Sequence, residues 1–237
     1  MKTINIFGGP GSGKSTTASG LFHEMKKQWI QAEYVPEFAK ELVWSDSHHM
    51  LSEQNYIFAE QERRLNRLRR KVEVAVSDSP LLLSSFYAPA AYPDSFHQSV
   101  FDFFHSYDNL NIFVNRSHEY ILDGRVQDEE NADALAVRMK EYLLANGVPF
   151  WSMAASDAAP RRLVGWLVSQ GHVALPPGMN ERFERDIVPE LTLAPASWIR
   201  YNDTESWRTG QRIQRAQLAD LHTVGKTKED QDAAQVS

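Results

Sequence analysis

Residues 8–15, Gly8-Gly9-Pro10-Gly11-Ser12-Gly13-Lys14-Ser15, fit the pattern G-x-x-x-x-G-K-[ST], and nothing else in this 237-residue chain limits its possible folds so sharply. Apolar Ile4, Ile6 and Phe7 lead into the run as a short strand, and Thr16 to Gln28 can continue as a helix. In that setting the glycines let backbone N–H groups turn inward around a polyphosphate, where a Cβ would obstruct them. Lys14 can reach the β- and γ-phosphates and Ser15 can offer a hydroxyl to Mg²⁺. The helix N-terminus that begins by Thr16 favours the negative charge. Residues Gly8, Gly9, Pro10, Gly11, Ser12, Gly13, Lys14, Ser15 and Thr16 are therefore read as an ATP-binding segment, with Mg²⁺ as its cation. At average residue frequencies such a match arises in roughly one chain of this length in a hundred. With a strand before it and a helix after it, a ligand-free glycine turn explains it poorly.

The rest of the chain narrows the class. Hydrophobic residues make up 42%, enough for one α/β domain with a full core and a small appendage. There is no cysteine, which removes disulfides and thiolate metal sites. A net charge of −6 argues against a surface coated in positive charge for nonspecific nucleic-acid binding, though not against a local basic groove. The eight histidines show no zinc-ligand spacing. The first residues read as a strand rather than a signal peptide, and no apolar stretch is long enough to span a membrane. A cytoplasmic location is expected, the host cytoplasm if the chain is phage-encoded.

Apolar runs alternate with helical patterns as in a parallel sheet with crossover helices. Strands are expected at Thr3–Phe7, Glu33–Val35, Val72–Val76, Asn111–Val114 and Val148–Ser152. Helices are expected at about Lys14–Trp29, Ser52–Arg70, Asp94–Tyr107, Asp128–Asn146 and Ala158–Gln170, with Gly171 closing the last. The fold class is thus α/β, a five-stranded parallel sheet with helices on both faces, over residues 1–171. Right-handed crossovers would line all strand C-termini along one edge. Residues 172–223 read as a helical extension packed on that domain through Trp198, Tyr201 and Trp207, with helices at Asn180–Glu190 and Glu205–His222. Residues 224–237 read as a disordered tail. The tail's Thr227-Lys228-Glu229-Asp230 matches a guanine-reading pattern but follows no strand, so it is set aside.

Phosphoryl transfer needs a phosphate cradle, a magnesium carboxylate, a group that positions the nucleophile, and positive charge for the transition state. Asp78, in Ser77-Asp78-Ser79-Pro80 just past the third strand, is the magnesium carboxylate; its competing role as an N-cap can be filled by Ser79. Glu37 ends the second strand and suits a base for an attacking hydroxyl or a place in the outer magnesium shell; the ordinary alternative is a helix-start glutamate paired with Lys40. Arg116 and Arg125 bracket a segment suited to a lid that clamps the moving phosphate. The helix with Arg63, Arg64, Arg67, Arg69 and Arg70 can offer a phosphate track, but a plain solvated face with pairs such as Glu60–Arg64 explains it better. Tyr87, Tyr92, Phe96, Phe101, Phe103 and Phe104 are mostly core, with one or two available to stack on a base.

Together, Gly8–Ser15, Pro36-Glu37-Phe38-Ala39-Lys40, Tyr56-Ile57-Phe58-Ala59-Glu60-Gln61 and Ser77-Asp78-Ser79-Pro80-Leu81 resemble the phage-type P-loop kinases often labelled "AAA domain" proteins. Asn115-Arg116, Gly124-Arg125 and the acidic helix that follows fit the same family. Its relatives are nicotinamide ribonucleoside kinases and, more distantly, thymidylate and deoxynucleoside kinases. The resemblance covers residues 1 to about 170 and implies an ATP-dependent phosphotransferase rather than a motor. One branch, in phages with hypermodified thymine, phosphorylates 5-hydroxymethyluracil already built into DNA, and this chain is similar to it. The quoted motifs are shared by the wider family. The implied acceptor is therefore 5-hydroxymethyluracil in DNA, with a free nucleoside, nucleotide or nicotinamide riboside as the alternative. A P-loop ATPase with no acceptor is the third reading.

Overall fold

In a computed structural model, residues 1–117, 129–188, 198–205, 207 and 208 are described. Chain order runs β1 (Lys2–Phe7), α1 (Lys14–Lys27), β2 (Ala32–Val35), α2 (Ala39–Trp44), α3 (Gln54–Asn66) and β3 (Val74–Ser77). It continues with α4 (Leu82–Tyr87), α5 (Asp94–His105), β4 (Asp108–Asn115), α6 (Glu129–Ala145), β5 (Phe150–Ala154), α7 (Ala159–Ser169), α8 (Asn180–Asp186) and β6 (Ile199–Tyr201). A 3₁₀ turn at His48–Ser52 links α2 to α3.

Six strands form one sheet in the order β2-β3-β1-β4-β5-β6. The first five are parallel, as the alternation of strands and helices requires, and β6 adds antiparallel to the free edge of β5. Chain connections run from β1 outward to β2 and back to β3, then cross to β4 and β5 on the other side. The switch point, where an open α/β sheet leaves a crevice beyond its strand ends, therefore falls at β1.

Strand alternation sends side chains to opposite faces. Ile4, Ile6, Val76, Ile112 and Val114 join Leu21 and Met25 of α1 and Leu163 and Leu167 of α7 in one core. Phe7, Ala75, Phe113 and Phe150 face the other, with Leu82, Val100, Phe104, Met139 and Leu143 from α4, α5 and α6. The second face also carries a polar ladder: Asn5 Nδ2 donates to Asn109 Oδ1 at 2.9 Å and Asn111 Oδ1 at 3.0 Å. Asn111 Nδ2 donates onward to the Pro149 carbonyl at 3.0 Å. These buried amides have partners, as burial demands.

Beyond residue 171, Val173, Phe183 and Ile187 enter the α1–α7 core. Trp198 rests on Trp166, with ring centroids 5.4 Å apart, and Tyr201 on Phe150 at 5.6 Å. The strand β6 was absent from the sequence reading, because three residues a few positions beyond Pro195 carry too little alternation to register. The helix expected at Asn180–Glu190 ends at Asp186. Most of the helix expected at Glu205–His222, and the whole 224–237 tail, lie outside the described residues. No helix among the described residues is long and apolar enough to cross a membrane.

Candidate functional site

Because β3 and β4 flank β1, the loop after β1 lies between the ends of those two strands. Residues 8–13 form that loop, and α1 begins at Lys14 behind Gly13, whose φ of 85° suits glycine. Ser12 N–H donates to the Gly9 carbonyl at 3.2 Å and Thr17 N–H to the Gly13 carbonyl at 2.8 Å, closing the turn. A Cβ on Gly8 would lie 2.4 Å from Ser12 Oγ and 2.7 Å from the Val114 carbonyl, so the curl permits no side chain there. Lys14 Nζ donates to the Gly9 carbonyl at 3.1 Å, across the mouth of the loop.

Asp78 stands one residue past β3 and is 2% exposed. Its Oδ2 accepts a 2.8 Å hydrogen bond from the Tyr34 hydroxyl, while its Oδ1 is buried with no hydrogen-bond partner. An orphaned, buried carboxylate oxygen beside a phosphate loop is the donor chemistry a hard cation takes. Tyr34 sits on β2 opposite Val76, two residues short of Asp78, so only a long side chain spans the gap. Burial, with the Asp78 charge next, pushes the Tyr34 phenol well above its usual range, and the Ser15 side chain acts on the same hydroxyl. Tyr34 is thus bonded to Asp78 and close to Ser15, the two groups that would hold Mg²⁺.

Glu37 lies just beyond β2. Burial raises its pKa above the ordinary carboxylate value, Lys14 opposes that rise, and Asp78 adds to it. Lys40, its expected neighbour in sequence, contributes less than Lys14. The fold thus brings Glu37, Asp78 and Lys14 within electrostatic reach of one another. Tyr87, at the end of α4, belongs to the same group: burial and the Glu37 charge push its phenol up to about 12, although 43% of the residue stays exposed.

On the opposite flank, Arg116 follows β4 and pairs with Asp133 of α6 at 2.7 Å, its side chain 12% exposed. Arg125 lies outside the described residues, as does most of the lid segment between the two arginines. A cleft of about 230 Å³ opens between the loop and α6, lined by Gly9, Pro10 and Ser12 on one side and Ala132, Asp133 and Lys140 on the other. Lys140 Nζ donates to Asn115 Oδ1 at 2.7 Å, and burial draws its pKa down to about 8.

The helix expected over Ser52–Arg70 spans Gln54–Asn66, and the arginines on it and in the turn after it are largely committed to the protein itself. Arg64 makes a bidentate pair with Glu41, both contacts at 2.7 Å, and lies over Phe38. Arg63 pairs with Glu60 at 2.8 Å. Arg69 stacks 3.8 Å from the Tyr107 ring centroid and bonds Ser106. Glu60 therefore takes Arg63 rather than the expected Arg64.

The sequence reading passed over Tyr34 and Lys140. A tyrosine in a strand next to Pro36 reads as packing, and nothing local shows which strand lies beside it. Lys140 on a helix reads as solvated until α6 is laid against β4.

A loop of this geometry between β1 and α1, in a sheet of order 2-3-1-4-5, defines a P-loop fold. The AAA domain family model matches residues 3–161, and the chain belongs to that family. Among solved structures, the NadR protein in complex with NR is similar, at 15% identity and a TM-score of 0.52, over 75% of this chain and 53% of that one. This chain thus spans about half the length of NadR, and the likeness is one of fold. Deoxyadenosine kinase from M. mycoides, with products dCMP and a flexible dCDP bound, aligns at 18% identity and a TM-score of 0.45, over 71% of this chain and 100% of that one. No curated protein matches the chain.

Proposed function

We propose that this protein is an ATP-dependent kinase that transfers the γ-phosphoryl group to a hydroxyl of a nucleoside-like acceptor. The supporting observation is the second carboxylate. A cation site at the loop would be served by Ser15 and Asp78, yet Glu37 is held beside them, half-buried and electrostatically coupled to Lys14 and Asp78. A group on the acceptor side with a raised pKa suits a base that must take a proton and release it. The same base would serve water in an ATPase, so the acceptor assay below is what separates transfer from hydrolysis.

In this reading the loop amides and Lys14 bind the phosphates, and Ser15 and Asp78 would hold Mg²⁺, which when bound neutralises charge on the phosphate oxygens. Glu37 orients the acceptor hydroxyl and receives its proton as the new O–P bond forms and the bond between Pγ and the β-bridging oxygen breaks, leaving ADP. Arg116, once released from Asp133, and Arg125 supply positive charge to the moving phosphoryl. Residues 1–171 are taken as the kinase unit, with Val173, Phe183, Ile187 and Tyr201 packing into its two cores.

For the acceptor, the resemblance of the motifs supports 5-hydroxymethyluracil in DNA. The arginines of α3 and the turn after it lend it little, since Arg63, Arg64 and Arg69 are occupied and Arg67 and Arg70 of that set remain for a phosphate track. The deciding experiment is transfer of labelled γ-phosphate from ATP to duplex DNA with and without 5-hydroxymethyluracil, beside free nucleosides, nucleotides and nicotinamide riboside. Label confined to the modified DNA is the expected result. Label on a small molecule replaces the acceptor and keeps the kinase; ATP consumption that no acceptor alters makes the protein an ATPase.

A further inference from the structure

Lys140 has no part in the proposed phosphoryl transfer, and its setting calls for a ligand. It is 9% exposed, and its ammonium donates to Asn115 Oδ1 at 2.7 Å and lies 4.6 Å from the Phe113 ring centroid. Among the described residues no carboxylate forms an ion pair with it, and Asp133 acts on it only at longer range. Asn115 has committed its other end, its Nδ2 donating to Ser152 Oγ at 2.8 Å, so it cannot turn to offer more. A buried charge without a counter-charge is costly, and proteins seldom keep one idle.

Ser12 supplies an independent observation. It is 4% exposed, and its hydroxyl is buried with no hydrogen-bond partner. Ser12 and Lys140 line the same cleft between the loop and α6, together with Arg116. At about 230 Å³ the cleft exceeds the roughly 30 Å³ share of a single water several times over. Of the described charged side chains lining it, Lys140 and Arg116 are positive and Asp133 is negative, and the Asp133 side chain is 65% exposed.

We propose that this cleft is a second oxyanion site, taking a phosphate group separate from those of the nucleotide held at Lys14. Lys140 and the Ser12 hydroxyl donate to its oxygens, with Arg116 at the edge as a further cation. Burial draws the Lys140 pKa down to about 8, so the ammonium is charged at neutral pH and an oxyanion stabilises it. The site does not depend on the identity of the acceptor. It rests on the P-loop reading only in that the nucleotide site must be filled while the cleft is probed.

The full chain is first saturated with a non-hydrolysable ATP analogue and Mg²⁺, so that the γ-phosphate position is occupied. Failure of the analogue to bind would sink the loop assignment by itself, visible before any phosphate is added. Inorganic phosphate and a nucleoside 5′-monophosphate are then titrated separately by calorimetry, into wild type, Lys140→Met, Lys140→Gln and Lys140→Arg. Wild type should bind, Met and Gln should weaken binding at least tenfold, and Arg should restore most of it. Tighter binding of the monophosphate than of inorganic phosphate would assign the cleft to a phosphate carried on the acceptor; equal binding would assign it to the free anion. The proposal fails if neither probe binds, if the analogue abolishes binding of both, or if the Met and Gln variants bind as wild type does. Met replaces a buried charge by a side chain of similar shape, and Gln keeps a donor, so at least one folded variant is expected.

Discussion

Asp78 can hold a cation only if its carboxylate is turned so that one oxygen stays open, and Tyr34 does the turning. The 2.8 Å bond to Oδ2 fixes the group and leaves Oδ1 buried without a partner. Tyr34→Phe keeps the ring against Phe22, whose centroid is 6.5 Å away, and deletes only the hydroxyl. A hydrogen bond to a charged group contributes about 1.5–3 kcal/mol. The variant should therefore need about tenfold more Mg²⁺ for half-maximal nucleotide binding, with binding in the presence of a chelator unchanged. An unaltered Mg²⁺ requirement would show that Tyr34 only packs. Glu37 gives a second prediction. Burial, with the Asp78 charge adding to it, raises its pKa, so a base there loses its ionised form while pH is still above the ordinary carboxylate value. The acid limb of kcat/KM should sit above pH 4.5, and Glu37→Gln should lose roughly 10²–10⁴ of the rate together with that limb. A Gln variant that keeps both would remove Glu37 from the chemistry.

The elements hold the site by close approach as well as by apolar burial. Helices α1 and α7 pack against each other at Gly20, where a Cβ would lie 2.6 Å from the Pro160 ring. A proline ring is rigid, so a side chain there has to push α7 away and with it the α1 face that carries the loop. Gly20→Val should destabilise the fold by about 1–3 kcal/mol, read as a fall in the urea midpoint at unchanged m-value. A midpoint equal to wild type would mean that α7 shifts freely. Sequence periodicity located α1, α3, α5, α6 and α7, because each runs two turns or more with a consistent apolar stripe. It missed α2 and α4, which are six residues each and too short to show a period. Strand β4 starts at Asp108 rather than at Asn111, because half-buried Asn109 and buried Asn111 both bond Asn5. A polar strand start reads as loop until its partner strand is known.

For the whole molecule, the consequence of the sheet order is that α6 packs over β4 toward α4 and buries Lys140 on the way. Lowering a lysine from 10.5 to about 8 in the folded state corresponds to roughly 3 kcal/mol of strain against the charged form. The unfolded chain holds that proton up to about pH 10.5, while the folded chain gives it up near pH 8. Between those values the unfolded state binds more protons, so Lys140 makes stability rise with pH. Lys140→Met should be more stable than wild type at pH 7 and lose that advantage progressively from pH 8 to 10.5, in denaturant titrations across the range. A constant difference would place the lysine in water instead.

The local order of residues determined what each strand end carries. Gly8–Ser15 follows β1, Glu37 follows β2, Asp78 follows β3 and Arg116 follows β4, and each could be read because a strand and its exit loop are contiguous in sequence. The parallel α/β class was legible for the same reason, from apolar runs separated by helix-length amphipathic ones. Pairing across the sheet was decided only by the tertiary structure. It set Asp78 and Arg116 on either side of the loop, turned Tyr34 onto Asp78, made Lys14 rather than Lys40 the principal cation beside Glu37, and gave Arg64 to Glu41. Those contacts join residues from 23 to 44 positions apart. Their energies depend on distance and burial, which a sequence does not contain until its elements are packed.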